Sequence, residues 1–300
     1  MLDIRIPASN SNLGSGFDVI GLGLRLYLKI KVEKTADEKR ELLFKGEGGG
    51  VIGKKDNYIL KALNRLSNKY DKKIPGYRIT VENEIPVKAG LGSSGTAIIA
   101  GIICADHLCS LNMPMSSILN EAVKIEGHPD NITPSLMGGM TASMITGSGE
   151  VIYHKIQFPS DLKILVVIPK FNVSTKTARE VLPESYSLKN ATFNMQRTAM
   201  FLETLRKREY DMIPHLLQDK IHQEYRAPLV PGLSGILRIK PDGDFMGAFL
   251  SGAGPAIGAF VKDNPEKYGR KIVSIFKKMN IEAQFKVLKA DNKGTMIKKI

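Results

Sequence analysis

Apolar and polar side chains alternate from the first residues of the chain. Leu2, Ile4 and Ile6, then Leu26, Leu28, Ile30 and Val32, recur with the period of half-buried strands. Tyr77, Ile79 and Val81 alternate with Arg78, Thr80 and Glu82 in a third such run, which Pro86 ends by removing a ladder donor. The pattern then changes. Ala97, Ile98, Ile99, Ala100, Ile102, Ile103 and Ala105 are apolar nearly all round a helix, which predicts a buried one. A second helical pattern (Ile118, Leu119, Ala122, Val123, Ile125) follows Asn112 and Pro114. In the second half, KILVVIPK at Lys163 to Lys170 reads as a buried strand, and helical patterns run around residues 176 to 222. FMGAFLSGAGPAIGAFV reads as strand, glycine loop and strand; a helix over Glu266 to Met279 and a strand over Ala283 to Leu288 complete the pattern. Both halves are therefore mixed α and β, and a boundary near residue 155 divides the chain into 1–155 and 156–300.

The third strand and the apolar helix are joined by a glycine and serine loop, in PVKAGLGSSGTAIIAG from Pro86 to Gly101. Gly90, Gly92 and Gly95 allow a ligand close to the backbone. Ser93, Ser94 and Thr96 place hydroxyls beside the unpaired amides and positive dipole end of the helix, and Lys88 adds a mobile charge. The loop is predicted to bind phosphate. Gly90 to Gly95 also satisfies the GxGxxG dinucleotide string, but no strand carrying a terminal acid follows at the required distance. A Walker A loop would need Lys and Ser or Thr where Thr96 and Ala97 stand. A tight turn before a core helix is the remaining structural alternative.

The 300 residues are 43% hydrophobic and 24% charged, enough for one large or two modest domains. The net charge of +13 is scattered, which favours a basic soluble surface over nucleic-acid binding and suits an anionic substrate equally well. The two cysteines, Cys104 and Cys109, lie in the apolar helix without metal or redox spacing and read as reduced core thiols, so the cytoplasm is the expected location. MLDIRIPAS has no apolar stretch of signal-peptide length, and no run reaches the roughly 18 apolar residues of a membrane span.

Three further polar constellations stand out. PASNSNLGSGFD at Pro7 to Asp18 reads as a polar loop between two strands, a glycine turn or part of a site. EGHPDN at Glu126 to Asn131 closes the second helix and precedes SLMGG, either as capping chemistry or as functional groups. SGAGP at Ser251 to Pro255 is a glycine hairpin or the wall of a site.

Together with the GLGSS loop, and in this order, these motifs resemble those of the GHMP kinase superfamily. STKTAREVLP at Ser174 to Pro183 and IHQEYRAPLVP at Ile221 to Pro231 resemble the branch that phosphorylates L-homoserine. Asn10 replaces a usual Thr, Ser15 a usual Pro and Gly95 a usual Ala. The resemblance implies a two-domain α+β fold, a ribosomal S5 domain 2-like N-terminal domain and a ferredoxin-like C-terminal domain, with the active site between them. It implies ATP-dependent phosphorylation of L-homoserine to O-phospho-L-homoserine on the route to threonine.

Roles follow from the same resemblance. Gly90, Leu91, Gly92, Ser93 and Ser94, with Lys88, would hold the ATP phosphates, and Asn57 would lie near adenine or, on sequence grounds, cap a helix. Glu126 would hold magnesium together with Ser94, whereas Glu121, five residues earlier, falls off that helix face and is expected to be solvated. Asn12 and Asp18 would face the substrate's amino end, Asp130 and Asn131 its hydroxyl, and Arg179 and Arg226 would grip its carboxylate. Thr175 would lie near the phosphate, with helix capping as its alternative. Related mevalonate and galactose kinases carry an aspartate where Asn131 stands, and an amide is no base, so catalysis by positioning and magnesium is expected, with His128 structural. A kinase of the same superfamily for mevalonate, a sugar or another small alcohol, and a nonenzymatic RNA-binding S5-like protein, are the alternatives. A homodimer is left open.

Overall fold

The structure, a computed structural model, describes residues 1–49 and 57–300. Its first sheet is built on two long antiparallel strands, β1 (Leu2–Asn12) and β2 (Gly16–Lys34). On one side of β2 lie β4 (Tyr77–Asn83) and, parallel to it, β3 (Arg40–Gly46). The N-terminal end of β2 pairs instead with β5 (Met140–Ile145), which pairs with β6 (Val151–Ile156). Helices α1 (Tyr58–Lys69), α2 (Ser93–Cys109), α3 (Met115–Glu126) and α4 (Pro129–Met137) complete this part of the chain. As its all-round apolar pattern requires, α2 is the central one, with Ile98, Ile99, Ile102, Ile103 and Cys104 buried.

The second sheet has the order β10 (Ala283–Leu288), β7 (Lys163–Pro169), β9 (Ile257–Val261), β8 (Phe245–Leu250), every pair antiparallel. In chain order this is fourth, first, third, second, the arrangement of a ferredoxin-like unit. Between β7 and β8 the chain forms α5 (Thr175–Glu180), α6 (Leu188–Lys207), α7 (Ile213–Leu216), α8 (Gln223–Arg226) and α9 (Leu233–Leu237); α10 (Pro265–Lys277) precedes β10. The last strand, β11 (Met296–Lys299), leaves this unit and pairs with β1 on the first sheet. Among the described residues no helix is long and apolar enough to cross a membrane.

Two expectations change. The polar stretch from Pro7 to Asp18 is largely strand: β1 runs through Asn12, β2 starts at Gly16, and only Leu13 to Ser15 turn. Its alternation is hidden because Ser9, Asn10 and Ser11 are fully buried polar residues engaged with neighbouring segments. Glu121 is buried rather than solvated. Lys69 at the end of α1 bonds its carboxylate at 2.5 Å and Lys124 lies 3.5 Å away, a pairing that helical phase alone does not reveal.

Helix α4 lies almost backbone to backbone on β2. A Cβ at Gly21 would fall inside the carbonyl oxygen of Asp130 and 2.7 Å from Pro134 Cγ, and one at Gly23 would sit 2.9 Å from the carbonyl oxygen of Pro134. These two glycines set how near the first turn of α4, which carries Asp130 and Asn131, approaches the sheet. Gly21→Ala must displace that turn, so it is expected to destabilise the fold by about 1–3 kcal/mol, read by urea unfolding.

Candidate active site

The site begins where β1 turns into β2. Asn12 (φ 71°), Leu13 (φ 46°) and Asp18 (φ 56°) all adopt left-handed backbone, a density of strained residues that packing on every side must hold. The Asn12 side chain bridges this turn: Oδ1 accepts from the Asp18 amide at 3.1 Å, and Nδ2 donates to the Gly252 carbonyl at 3.2 Å. That second bond ties the turn to the SGAGP loop between β8 and β9.

The glycine loop is wedged between the same two segments. The Ser9 amide donates to the carbonyl of buried Leu91 at 3.1 Å, and the Ala256 amide to the carbonyl of Ala89 at 3.0 Å. Ser251 Oγ lies 2.6 Å from the Gly90 carbonyl oxygen and 2.7 Å from Asn10 Oδ1. At Gly90 a Cβ would penetrate the Ser251 carbonyl, and at Gly92 (φ 70°) it would penetrate Ser9 Oγ, so both positions exclude side chains. Helix α2 starts at Ser93 with no side-chain cap, and the Thr96 amide is bonded back to the Gly92 carbonyl at 2.9 Å. The amides before it have no intrahelical acceptor and, with the helix dipole, suit an anion.

Opposite this helix end runs a directed hydrogen-bond chain. Ser9 Oγ donates to Asn131 Oδ1 at 2.9 Å and Asn131 Nδ2 donates to Ser11 Oγ at 2.9 Å; the Ser11 hydroxyl in turn helps to hold the Asp130 carboxylate in its charged form. His128 Nδ1 bonds Asp130 Oδ1. Burial opposes charge on both partners, but their mutual attraction outweighs it. His128 is lifted to about 9, with help from Glu126 and Asp18, and Asp130 is held below the usual carboxylate range. His128 is therefore protonated at neutral pH. Glu126, at the end of α3, accepts from Ser94 Oγ at 2.7 Å; burial pushes its carboxyl upward, against the pull of His128 and the Ser94 bond.

The arginines approach from the second unit. Arg179 of α5 holds Asp18 with both Nη atoms, at 2.8 and 2.9 Å. Arg226, at the end of α8, is buried; its Nε donates to the Ala178 carbonyl at 2.9 Å and its Nη1 to the Gly252 carbonyl at 3.0 Å. Burial and the nearby Arg179 charge lower Arg226 to about 10, which leaves it cationic at neutral pH.

Asn12, Asp18, Asp130, Asn131, Glu126, Ser94, Arg179 and Arg226 thus meet where the glycine loop, α4, SGAGP and α5 converge. Three other candidates stand apart from this hydrogen-bonded group. Asn57 caps α1, accepting from the amides of Ile59 and Leu60 at 3.0 and 3.3 Å. Thr175 is exposed in the first turn of α5, whose cap is Ser174. Lys88 is exposed on the glycine loop in a left-handed conformation. Ser9 and Ser11 escaped the sequence reading as members of the site. Their one signal was alternate placement in PASNSN, which becomes meaningful only once the strand is extended to Asn12.

A phosphate ester fits the glycine loop, where the free amides at the start of α2 supply donors. A magnesium ion fits Glu126 and Ser94, a carboxylate and a hydroxyl oxygen 2.7 Å apart, the carboxyl being one that burial leaves in need of a counter-charge. Asp18, His128 and Asp130 also bring potential ligand atoms within 4.8 Å of one another, but there the protonated imidazole itself supplies the positive charge.

Known proteins resemble this chain over nearly its whole length. Residues 57–139 match the family model of the GHMP kinases N terminal domain. The chain is 40% identical over 298 residues to the homoserine kinase of Aquifex aeolicus, covering 99% of both chains. It is 36% identical over 297 residues to that of Clostridium botulinum, covering 99% of this chain and 98% of the relative. Its fold is similar to the crystal structure of homoserine kinase from Cytophaga hutchinsonii, with a TM-score of 0.85 at 23% identity over 99% of this chain and 97% of that one.

The hydrogen-bond chain has a directional consequence. Asn131→Asp removes the donor to Ser11, whose single hydrogen then has two carboxylates to serve. The variant is expected to lose about 1–3 kcal/mol in urea unfolding, whereas a chain free to reverse its bonds would show no loss.

Proposed function

The chain belongs to the homoserine kinases of the GHMP kinase superfamily, and we propose that it transfers the γ-phosphoryl group of ATP to the hydroxyl of L-homoserine, giving O-phospho-L-homoserine for threonine synthesis. The observation that carries this reading is the meeting of two kinds of group at one place: a glycine-lined helix end facing Glu126, and a cluster of acids and arginines suited to a zwitterion. Residues 1–155 would form the ATP-binding part and 156–300 the second domain, its last strand returned to the first sheet, in a cytoplasmic protein.

Phosphoryl transfer asks a protein chiefly for charge neutralisation and in-line placement. The amides of the first turn of α2, with Ser93, Ser94 and the mobile Lys88, would receive the ATP phosphates, and Asn57 would stand near the base. Glu126 and Ser94 would hold magnesium, which when bound neutralises phosphate charge. Asp18 and Asn12 would accept the substrate's ammonium group, and Arg179 and Arg226 its carboxylate. Asn131, fixed by Ser9 and Ser11, would orient the hydroxyl beside Asp130, with Thr175 brought in near the phosphate.

No residue here acts as a strong base. Asn131 has no proton-accepting form at neutral pH, His128 already holds its proton, and Asp130 is stabilised as an anion by His128 and Ser11. The hydroxyl proton would leave to a phosphate oxygen or to solvent, with the rate supplied by placement and electrostatics.

An ADP-release assay across L-homoserine, L-threonine, mevalonate, galactose and shikimate tests the assignment. Turnover is expected on L-homoserine above the others, and silence on it would sink the reading. Glu126→Gln is expected to lower kcat by about 100-fold or more and to raise the magnesium concentration needed for half-maximal rate. Magnesium titration of the ATPase or kinase rate checks this, and an unchanged dependence would remove Glu126 from the metal site.

A further inference from the structure

Phe17, the second residue of β2, has no role in the foregoing, yet its ring faces both Arg179 and Arg226. The Cζ of Arg226 lies 5.2 Å from the ring centroid and that of Arg179 lies 5.6 Å from it. His222 is stacked on the ring at 5.3 Å with an interplanar angle of 26°. We propose that Phe17 is a positioning residue that holds the two guanidinium groups side by side, in the register needed to receive one anionic group of the substrate. This rests on the assignment of Arg179 and Arg226 to the substrate carboxylate.

Two like charges would separate if nothing held them. Asp18 holds Arg179 through both of its Nη atoms, and the Ala178 and Gly252 carbonyls hold Arg226. These bonds relate the two arginines through Ala178 and through Asn12, but none of them puts one group against both guanidiniums. The Phe17 ring does, because its negative quadrupole attracts both cations without consuming an N–H donor. Donors therefore stay available for a carboxylate, which a carboxylate side chain at the same place would have occupied.

His222 fixes the ring in turn. Its Nε2 lies 2.8 Å from the Gly14 carbonyl oxygen and its Nδ1 3.4 Å from Arg226 Nη1, so the imidazole donates from Nε2 and presents a lone pair to the arginine. Burial keeps this histidine below its ordinary value, against the pull of Asp219, so it adds no third positive charge. Asp219 in turn accepts from the amides of Ile221, His222 and Gln223 and from Asn194, which anchors the first turn of α8 and with it Arg226.

The test compares Phe17→Leu and Phe17→Trp with the wild-type chain, using L-homoserine and ATP as varied substrates. Phe17→Leu is expected to raise the homoserine KM roughly tenfold while the ATP KM stays within about twofold; Phe17→Trp, which keeps an aromatic face, holds the homoserine KM within about threefold. An unchanged homoserine KM in Phe17→Leu, a parallel rise for ATP, or equal losses in the two variants overturns the proposal. The Nε–H NMR signals of Arg179 and Arg226 read the same contact without substrate. Loss of the ring is expected to shift both, and signals that stay in place overturn the proposal whatever the substrate is. A wild-type chain inactive on homoserine counts against the proposed function alone, because the NMR comparison still judges Phe17.

Discussion

The structure turns on the buried polar end of β1. Ser9, Asn10, Ser11 and Asn12 enter the interior with eight backbone polar groups and four polar side chains, and polar groups taken from water must find partners or cost stability. Antiparallel pairing with β2 serves one edge of the strand. The remaining groups recruit three distant segments: Leu91 of the glycine loop, Gly252 of the SGAGP loop, and Asn131 of α4. Segments far apart in sequence are brought to one place because the strand end cannot be satisfied without them. The site is thus mounted on a strand continuous with the core, a firmer support than loops alone would give.

Charge is distributed around that strand end in a consistent way. On the proposed phosphate side, the helix N-terminus supplies partial positive charge and, among the described residues, Glu126 is the carboxylate bonded to the loop, through Ser94. On the other side Asp18 is paired with Arg179 and Asp130 with His128, while the cationic Arg226 is held by backbone carbonyls. A zwitterionic ligand can exchange partners with the Asp18–Arg179 pair, its ammonium for the arginine and its carboxylate for the aspartate, leaving no charge stranded. A ligand with only one of the two charges would leave a partly buried partner uncompensated, which is the more costly outcome. Discrimination would then come from the penalty on incomplete ligands as much as from attraction to the right one.

Local chemistry made much of this legible in the sequence. Helix α2, strands β4 and β7, and the β8–loop–β9 unit follow directly from apolar periodicity, and the glycine loop from its position between a strand and a helix. The return of β11 to the first sheet was not legible, since pairing partners nearly 300 residues apart leave no local trace. The extension of β1 through Asn12 was hidden because a strand whose inward residues are Ser and Asn lacks the alternation that identifies strands. Glu121 shows the same limit: its burial depends on Lys69 of another helix. Individual groups were recognisable by type, but their ordering into Ser9–Asn131–Ser11–Asp130–His128 is a property of tertiary contact.

The departures from the family's motif pattern bear on how firmly that ordering is held. Asn10, in place of a usual Thr, uses Oδ1 on Ser251, and its Nδ2 finds no partner among the described residues; Ser15, in place of a usual Pro, leaves its buried Oγ equally alone. Gly95, in place of a usual Ala, faces the flexible end of Ile132, with Cδ1 3.1 Å from where a Cβ would stand. All three changes fall on the supports of the site, and none removes a group assigned to charge or phosphate. Unpaired buried atoms lower stability where they occur, by about 1–3 kcal/mol each on common experience. The same supports also carry the left-handed residues Asn12, Leu13 and Asp18. Left-handed backbone therefore gathers in and beside the turn between β1 and β2, and what holds the turn in shape is contact from the second unit: Asn194 and Thr198 on the Ser15 carbonyl, and His222 on that of Gly14. The turn that presents Asp18 and Phe17 is thereby a joint product of both sheets' surroundings, and the proposed substrate side of the site exists only where the two units are packed together.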